Sequence, residues 1–132
     1  MVARRILCLF LLACLCSVGC GKSLKLVAVK GRLTKGDKPC EGVGVNFVSD
    51  DPKGQSFIGS TNPDGRFEMY SFHGKPGVAP AAYSVRINIP IDAPGGGMVP
   101  AKLVANDSPW RVTITDKGNE NLLLDLEKDL VE

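Results

Sequence analysis

The sequence predicts an all-β protein: a single seven-stranded antiparallel β-sandwich behind an N-terminal signal segment. Three observations predict it. From Leu24 onward the apolar residues recur at period two, the alternation that sends successive side chains to opposite faces of a strand. Gly, Pro, Asn and Asp collect between those runs, where turns require them. No segment carries a persuasive apolar stripe at helical spacing. Short strands, frequent turns and no helices form the pattern of a sandwich. The 132 residues, 44% hydrophobic and 23% charged, leave room for one globular domain.

The first element is an address. Arg4 and Arg5 form a positive start, followed by a 13-residue apolar run from residue 6 to 18 with almost no polar residue in it. A membrane-spanning helix needs about 20 such residues, and an export signal needs about 7–15. Residues 1–19 therefore read as a signal peptide. The run ends Ser17-Val18-Gly19-Cys20-Gly21, which resembles a bacterial lipobox with Cys20 as the lipid-modified residue. The lipobox prefers Leu where Ser17 stands, and Leu11-Leu12-Ala13-Cys14 matches that local pattern better. Cys14, however, would leave a much shorter signal. Cys20 is therefore the expected lipidation site, Cys14 the alternative, and plain secretion without lipid the main competitor. The resemblance implies a chain anchored by lipid to the extracytoplasmic side of a bacterial membrane, with residues 20–25 as lipidated cysteine and short tether. Two or more acyl chains make such anchoring stable where one does not.

The seven strands follow in order. Val27, Val29, Gly31 and Leu33 share one parity, as do Val43, Val45 and Phe47. Phe57, Gly59 and Thr61 form the third set, Phe67 and Met69 the fourth, and Tyr83 through Ile91 at odd positions the fifth. Trp110, Val112 and Ile114 form the sixth, and Leu122, Leu124 and Leu126 the last. Residues between them, such as Lys30, Arg32, Arg66, Glu68 and Arg86, are mostly polar and read as the outer face. The expected core includes Val45, Phe47, Phe67, Tyr83, Val85, Ile87, Trp110, Val112 and Leu124. Gly36-Asp37-Lys38-Pro39 separates the first two strands, and Asp50 to Gly54 the next two. Asn62-Pro63-Asp64-Gly65 carries the preferences of a type I turn. The longest gaps, 73–80 and 92–109, are rich in Gly and Pro, and Gly95-Gly96-Gly97 reads as a flexible loop.

These motifs, in their order, resemble a known family. Gly31-x-Leu33-Thr34 leads through Gly36-x-x-Pro39 to Gly42-Val43-x-Val45-x-Phe47. Gly59-x-Thr61-Asn62-x-x-Gly65-x-Phe67 follows, then Gly77 to Tyr83-x-Val85. Residues 26–126 resemble the carboxypeptidase regulatory-like domain of the transthyretin-like (prealbumin-like), CnaB-like sandwich group, as found in small bacterial lipoproteins. The chain departs from that pattern at Ala81 and Asn62. The resemblance implies a domain over 26–127 of Ig-like architecture, a short tail at 128–132, and no catalytic or metal-binding residues.

Composition removes most chemistry. Sixteen basic residues face fourteen acidic ones. Arg4 and Arg5 lie in the signal, so the remaining body is neutral and lacks the basic footprint of a nucleic-acid binder. Four of the five cysteines (Cys8, Cys14, Cys16, Cys20) lie in or at the end of the signal. Cleavage before Cys20 leaves Cys40 as the one free thiol, with no disulfide framework; it reads as a buried structural residue. The single histidine, His73, sits in a loop and reads as exposed. Asp50-Asp51 and Asn62/Asp64 could contribute oxygens to calcium, yet such residues also populate ordinary turns. An isopeptide between Lys25 or Lys30 and Asn119 or Asn121, with Glu68 as the acid, would need partners buried together, and Lys30 lies on the polar parity. No cofactor or metal site is read. The expectation is a non-enzymatic envelope module for binding or structural packing. Its partner would be a protein or a glycan at the end loops 73–80 and 92–109.

Overall fold

The computed structural model describes residues 24–128. The signal segment, Cys14, Cys20 and residues 129–132 lie outside the described residues. Nine strands follow in chain order: β1 (Val29–Lys35), β2 (Lys38–Pro39), β3 (Gly44–Ser49), β4 (Phe57–Ser60), β5 (Arg66–Glu68), β6 (Tyr70–Ser71), β7 (Ala81–Asn88), β8 (Arg111–Ile114) and β9 (Asn119–Asp125). They form two sheets. In the first, β1 is central, with β9 along one edge and β5 then β2 along the other. The second runs β6-β4-β3-β7-β8. The fold is all-β, and its two sheets share one buried core, an arrangement that fits a β-sandwich.

Alternation places the core correctly. Every residue of the expected core is buried, and Val45, Phe47, Val85, Trp110 and Leu124 have no exposed surface at all. Phe47 and Phe57 face each other across β3 and β4, and both rings pack on Tyr83, one stacked and one edge-on. The Tyr83 hydroxyl donates to the carbonyl of Ala79 four residues upstream, so the buried ring keeps its polar end satisfied. Trp110 ties the two sheets together at one end by donating its indole N–H to the carbonyl of Lys128. The Asn62–Gly65 turn forms as its residues require. Gly65 N–H donates to the Asn62 carbonyl, and the Asn62 side chain accepts from Asp64 and Arg66 N–H. Gly65 itself has φ +74°, a conformation that costs other residues a steric penalty.

Several expectations are corrected. The strand pairing is not wholly antiparallel, because β9 runs parallel to β1 from Val29↔Asn119 to Thr34↔Asp125. Alternation states which face of a strand is buried and says nothing of its direction. Among the described residues nine strands are paired, seven of them of three residues or more. β2 and β6 have two residues each, too few for a period to register. Ile89 and Ile91 do not extend the fifth apolar run. β7 ends at Asn88 ahead of Pro90, which has no N–H to give a ladder, and Ile91 is 93% exposed.

The stretch 92–109 is the largest departure. Gly95 is buried, and its N–H donates to the carbonyl of Glu41 at 2.8 Å. A 3-10 turn (Gly96–Met98) and a one-turn helix α1 (Ala101–Val104) follow. Leu103 and Ser108 are fully buried, and the Ser108 hydroxyl donates to the Val85 carbonyl. This segment therefore covers the outer face of β7, which explains why Ser84, on the polar parity, is buried too.

Candidate functional site

The chain switches sheets twice in a short stretch. β4 belongs to the second sheet, β5 to the first, and β6 returns to pair with β4. The two switches fold a concave corner between the outer face of the first sheet and the β4–β6 edge. An open groove of about 1000 Å3 occupies that corner, at the upper end of the usual range for ligand pockets of roughly 300–1,000 Å3.

Its walls combine apolar surface with charge. Ile58 and Tyr70 face each other across β4 and β6, Phe72 follows β6, and Leu123 lies on the outward parity of β9. Phe72 is 68% exposed and Leu123 71%. Such side chains cost free energy in water when they form a patch, so a cluster is informative where a scattered one is not. Three cations, Lys30, Arg32 and Arg66, and two carboxylates, Glu68 and Glu120, line the same groove. Strand register decides who meets whom. Lys30 stands opposite Glu68, and Arg32 stands opposite Arg66. The Tyr70 hydroxyl donates to Glu68 at 3.1 Å. That hydrogen bond and the carboxylate's charge both raise the phenol's pKa. Lys30 approaches Glu120 at 3.9 Å. Arg32 donates from Nε to the backbone carbonyl of Asp64 at 3.0 Å.

The groove holds cations, carboxylates, a phenol and apolar surface. Among the described residues no group of three or more His, Cys, Asp and Glu is placed to hold a metal ion. The arrangement can therefore bind and orient a partner through charge and apolar contact.

Of the residues singled out from sequence, four line the groove and the others sit elsewhere. Cys40 is buried, its Sγ donating to the Gly95 carbonyl at 3.4 Å, and burial raises the thiol pKa. His73 is exposed in its loop. Asp51 accepts from the N–H of Lys53, and Asn62 from Asp64 and Arg66, so both serve their own turns. Asn119 likewise accepts from the N–H of Asn121, and both are exposed. Lys30, Asn62, Glu68 and Asn121 are the four that line the groove. Of the expected end loops, Gly74 reaches the groove and 92–109 contributes nothing to it. The signal that could have revealed this site is an apolar residue on the wrong parity: Ile58 after Phe57, Phe72 after Ser71, and Leu123 between Leu122 and Leu124. Comparison with protein families, with curated proteins and with solved structures finds no match to this chain.

Proposed function

We propose that the chain is a non-catalytic, lipid-anchored module of the bacterial cell envelope, held at Cys20 on the extracytoplasmic side, that binds a protein or glycan partner. The observation that carries the binding reading is the groove, where Ile58, Tyr70, Phe72 and Leu123 expose apolar surface beside cations. A purely structural role would leave that exposure without benefit. The anchor rests on Arg4-Arg5, the apolar run 6–18 and the lipobox-like Gly19-Cys20, with Cys14 as the alternative site. In finer terms we read the fold as transthyretin-like. The ordered Gly and aromatic motifs from Gly31 to Tyr83 support this, as do seven strands of three residues or more. The non-catalytic reading is supported by an exposed lone histidine and a thiol that burial keeps protonated.

Three measurements test this reading. Mass spectrometry of the mature N-terminus after metabolic lipid labelling should show a diacylated Cys20; an unmodified terminus near that residue would point to plain secretion. Crosslinking in envelope extract should capture a partner with the native chain and lose it with Phe72→Ser plus Leu123→Ser. Capture of nothing by the native chain, or reproducible turnover of a substrate abolished by His73→Ala, would defeat the proposal.

A further inference from the structure

We infer that Arg32 and Arg66 form a paired cationic receptor for the carboxylates of an acidic peptide segment whose neighbouring residues are bulky and apolar. This deepens the binding reading above and rests on it.

The first argument is register. Arg32 on β1 lies directly opposite Arg66 on β5. Side chains so placed emerge on one face with Cβ atoms about 4.5–5.5 Å apart, and like charges there are destabilising. Two residues along the same ladder, on the same face, Lys30 meets Glu68 with opposite charge, so an attractive pairing is available to these strands. The unfavourable pair lines the groove.

The second argument is the hydrogen-bond account. Among the described residues, neither guanidinium has a carboxylate within 4.0 Å, and the one hydrogen-bond partner of either is the Asp64 backbone carbonyl, which accepts from Arg32 Nε. The groove's own acids are engaged, Glu68 by the Tyr70 hydroxyl and Glu120 by Lys30. Each arginine fork offers five N–H donors in a plane that matches a carboxylate. Two forks side by side therefore present an unfilled site for one or two carboxylates, whose binding would turn the like-charge repulsion into attraction.

The third argument is what surrounds the pair. Leu123 stands opposite Arg32 on β9, and Tyr70, Ile58 and Phe72 form the other wall. A ligand seated on the arginines has apolar surface on both sides. An extended peptide with Asp or Glu between large apolar residues matches this in charge and shape. A flat bilayer surface does not enter a concave corner, which favours peptide over lipid headgroups.

The test uses the full chain in nanodiscs of phosphatidylcholine. The probe is a fluorescein-labelled octapeptide, Ser-Leu-Asp-Phe twice over, with Asn replacing Asp in its control. Binding is read by anisotropy at low and high salt. The acidic peptide should bind and weaken with salt, while the control binds about tenfold or more weakly. Arg32→Gln and Arg66→Gln should each cost a similar factor, and Arg66→Lys should retain part of the affinity. Arg66→Glu guards against misfolding as an explanation: it should abolish binding while raising the melting temperature by about 2–5 °C, because it relieves the repulsion with Arg32. Equal binding of both peptides, or no effect of the arginine variants, overturns the inference. So does arginine-dependent binding of soluble dihexanoyl phosphatidylglycerol with no binding of the acidic peptide, which would assign the site to a headgroup. If neither peptide binds, the inference fails, yet a crosslinked partner lost with Phe72→Ser would leave the broader binding reading standing.

Discussion

Cys40 shows how a single side chain can be read from its surroundings. It is the one cysteine among the described residues, it is fully buried, and burial raises its pKa from the ordinary value of 9.0. The native chain should therefore resist alkylation by a maleimide at neutral pH and react at once in denaturant; rapid labelling of folded protein would contradict the packing. Cys40→Ala should cost about 1 kcal/mol, measured by urea denaturation, because the cavity is small. Tyr83 is raised as well, also by burial. For both groups the unfolded chain ionises first, so their contribution is complete below their unfolded values and falls as pH rises through the folded ones. Stability should thus decline on the alkaline side, above about pH 9. Asp125 does the opposite. It accepts from Glu127 and Gly36 N–H, and these bonds lower its pKa from 3.8. Its contribution is present above the ordinary carboxylate range and is lost as pH falls through the lowered value. Asp125→Asn should flatten that part of the acid limb in a pH series of thermal melts. The burial of Cys40 was legible in sequence from its flanking Pro39 and Gly42. The partners of Asp125 were not, since Gly36 lies 89 positions away.

At the scale of elements, the middle of β1 is an unforgiving junction. A Cβ on Gly31 would stand 2.5 Å from the Leu122 carbonyl on one side and 2.6 Å from the Phe67 ring on the other. Gly31→Ala must therefore push β9 or β5 away, and overpacking of this kind costs about 1–3 kcal/mol. A lowered midpoint in urea, with faster hydrogen exchange in β9 than in β3, is the expected result; an unchanged midpoint would show that the ladder tolerates the methyl. The sequence revealed the strands because each has a buried and a solvated face, as in Val43-x-Val45-x-Phe47. It hid the groove because Ile58, Phe72 and Leu123 break that rule singly, and each looks like noise until β4, β6 and β9 are brought together. It also hid the cover on β7. Leu103 and Ser108 are buried within a segment whose Gly and Pro content reads as loop, because packing of a one-turn helix leaves no periodic trace.

Over the whole molecule, alternation and turn chemistry were enough to specify two sheets and a core, whereas direction and edge order come from contacts far apart in sequence. The pairing of β1 with β9 is the chief example, since it joins the first and last strands in parallel. That arrangement gives the domain a mechanical property. The N-terminal end of β1 and the C-terminal end of β9 lie at opposite ends of their shared ladder. Tension applied between the chain termini is therefore directed along the strands and loads all their hydrogen bonds together. Antiparallel neighbours such as β3 and β4, pulled from their free ends, would instead peel one bond at a time. Forced unfolding is governed by the unfolding barrier and not by equilibrium stability. In single-molecule pulling, the domain stretched between residues 24 and 128 should rupture at a markedly higher force than when pulled through cysteines placed at Gly44 and Ser60, the open end of the β3–β4 pair, with Cys40→Ala. A domain tethered at its start and held by its end would stay folded under a pull that opens a hairpin.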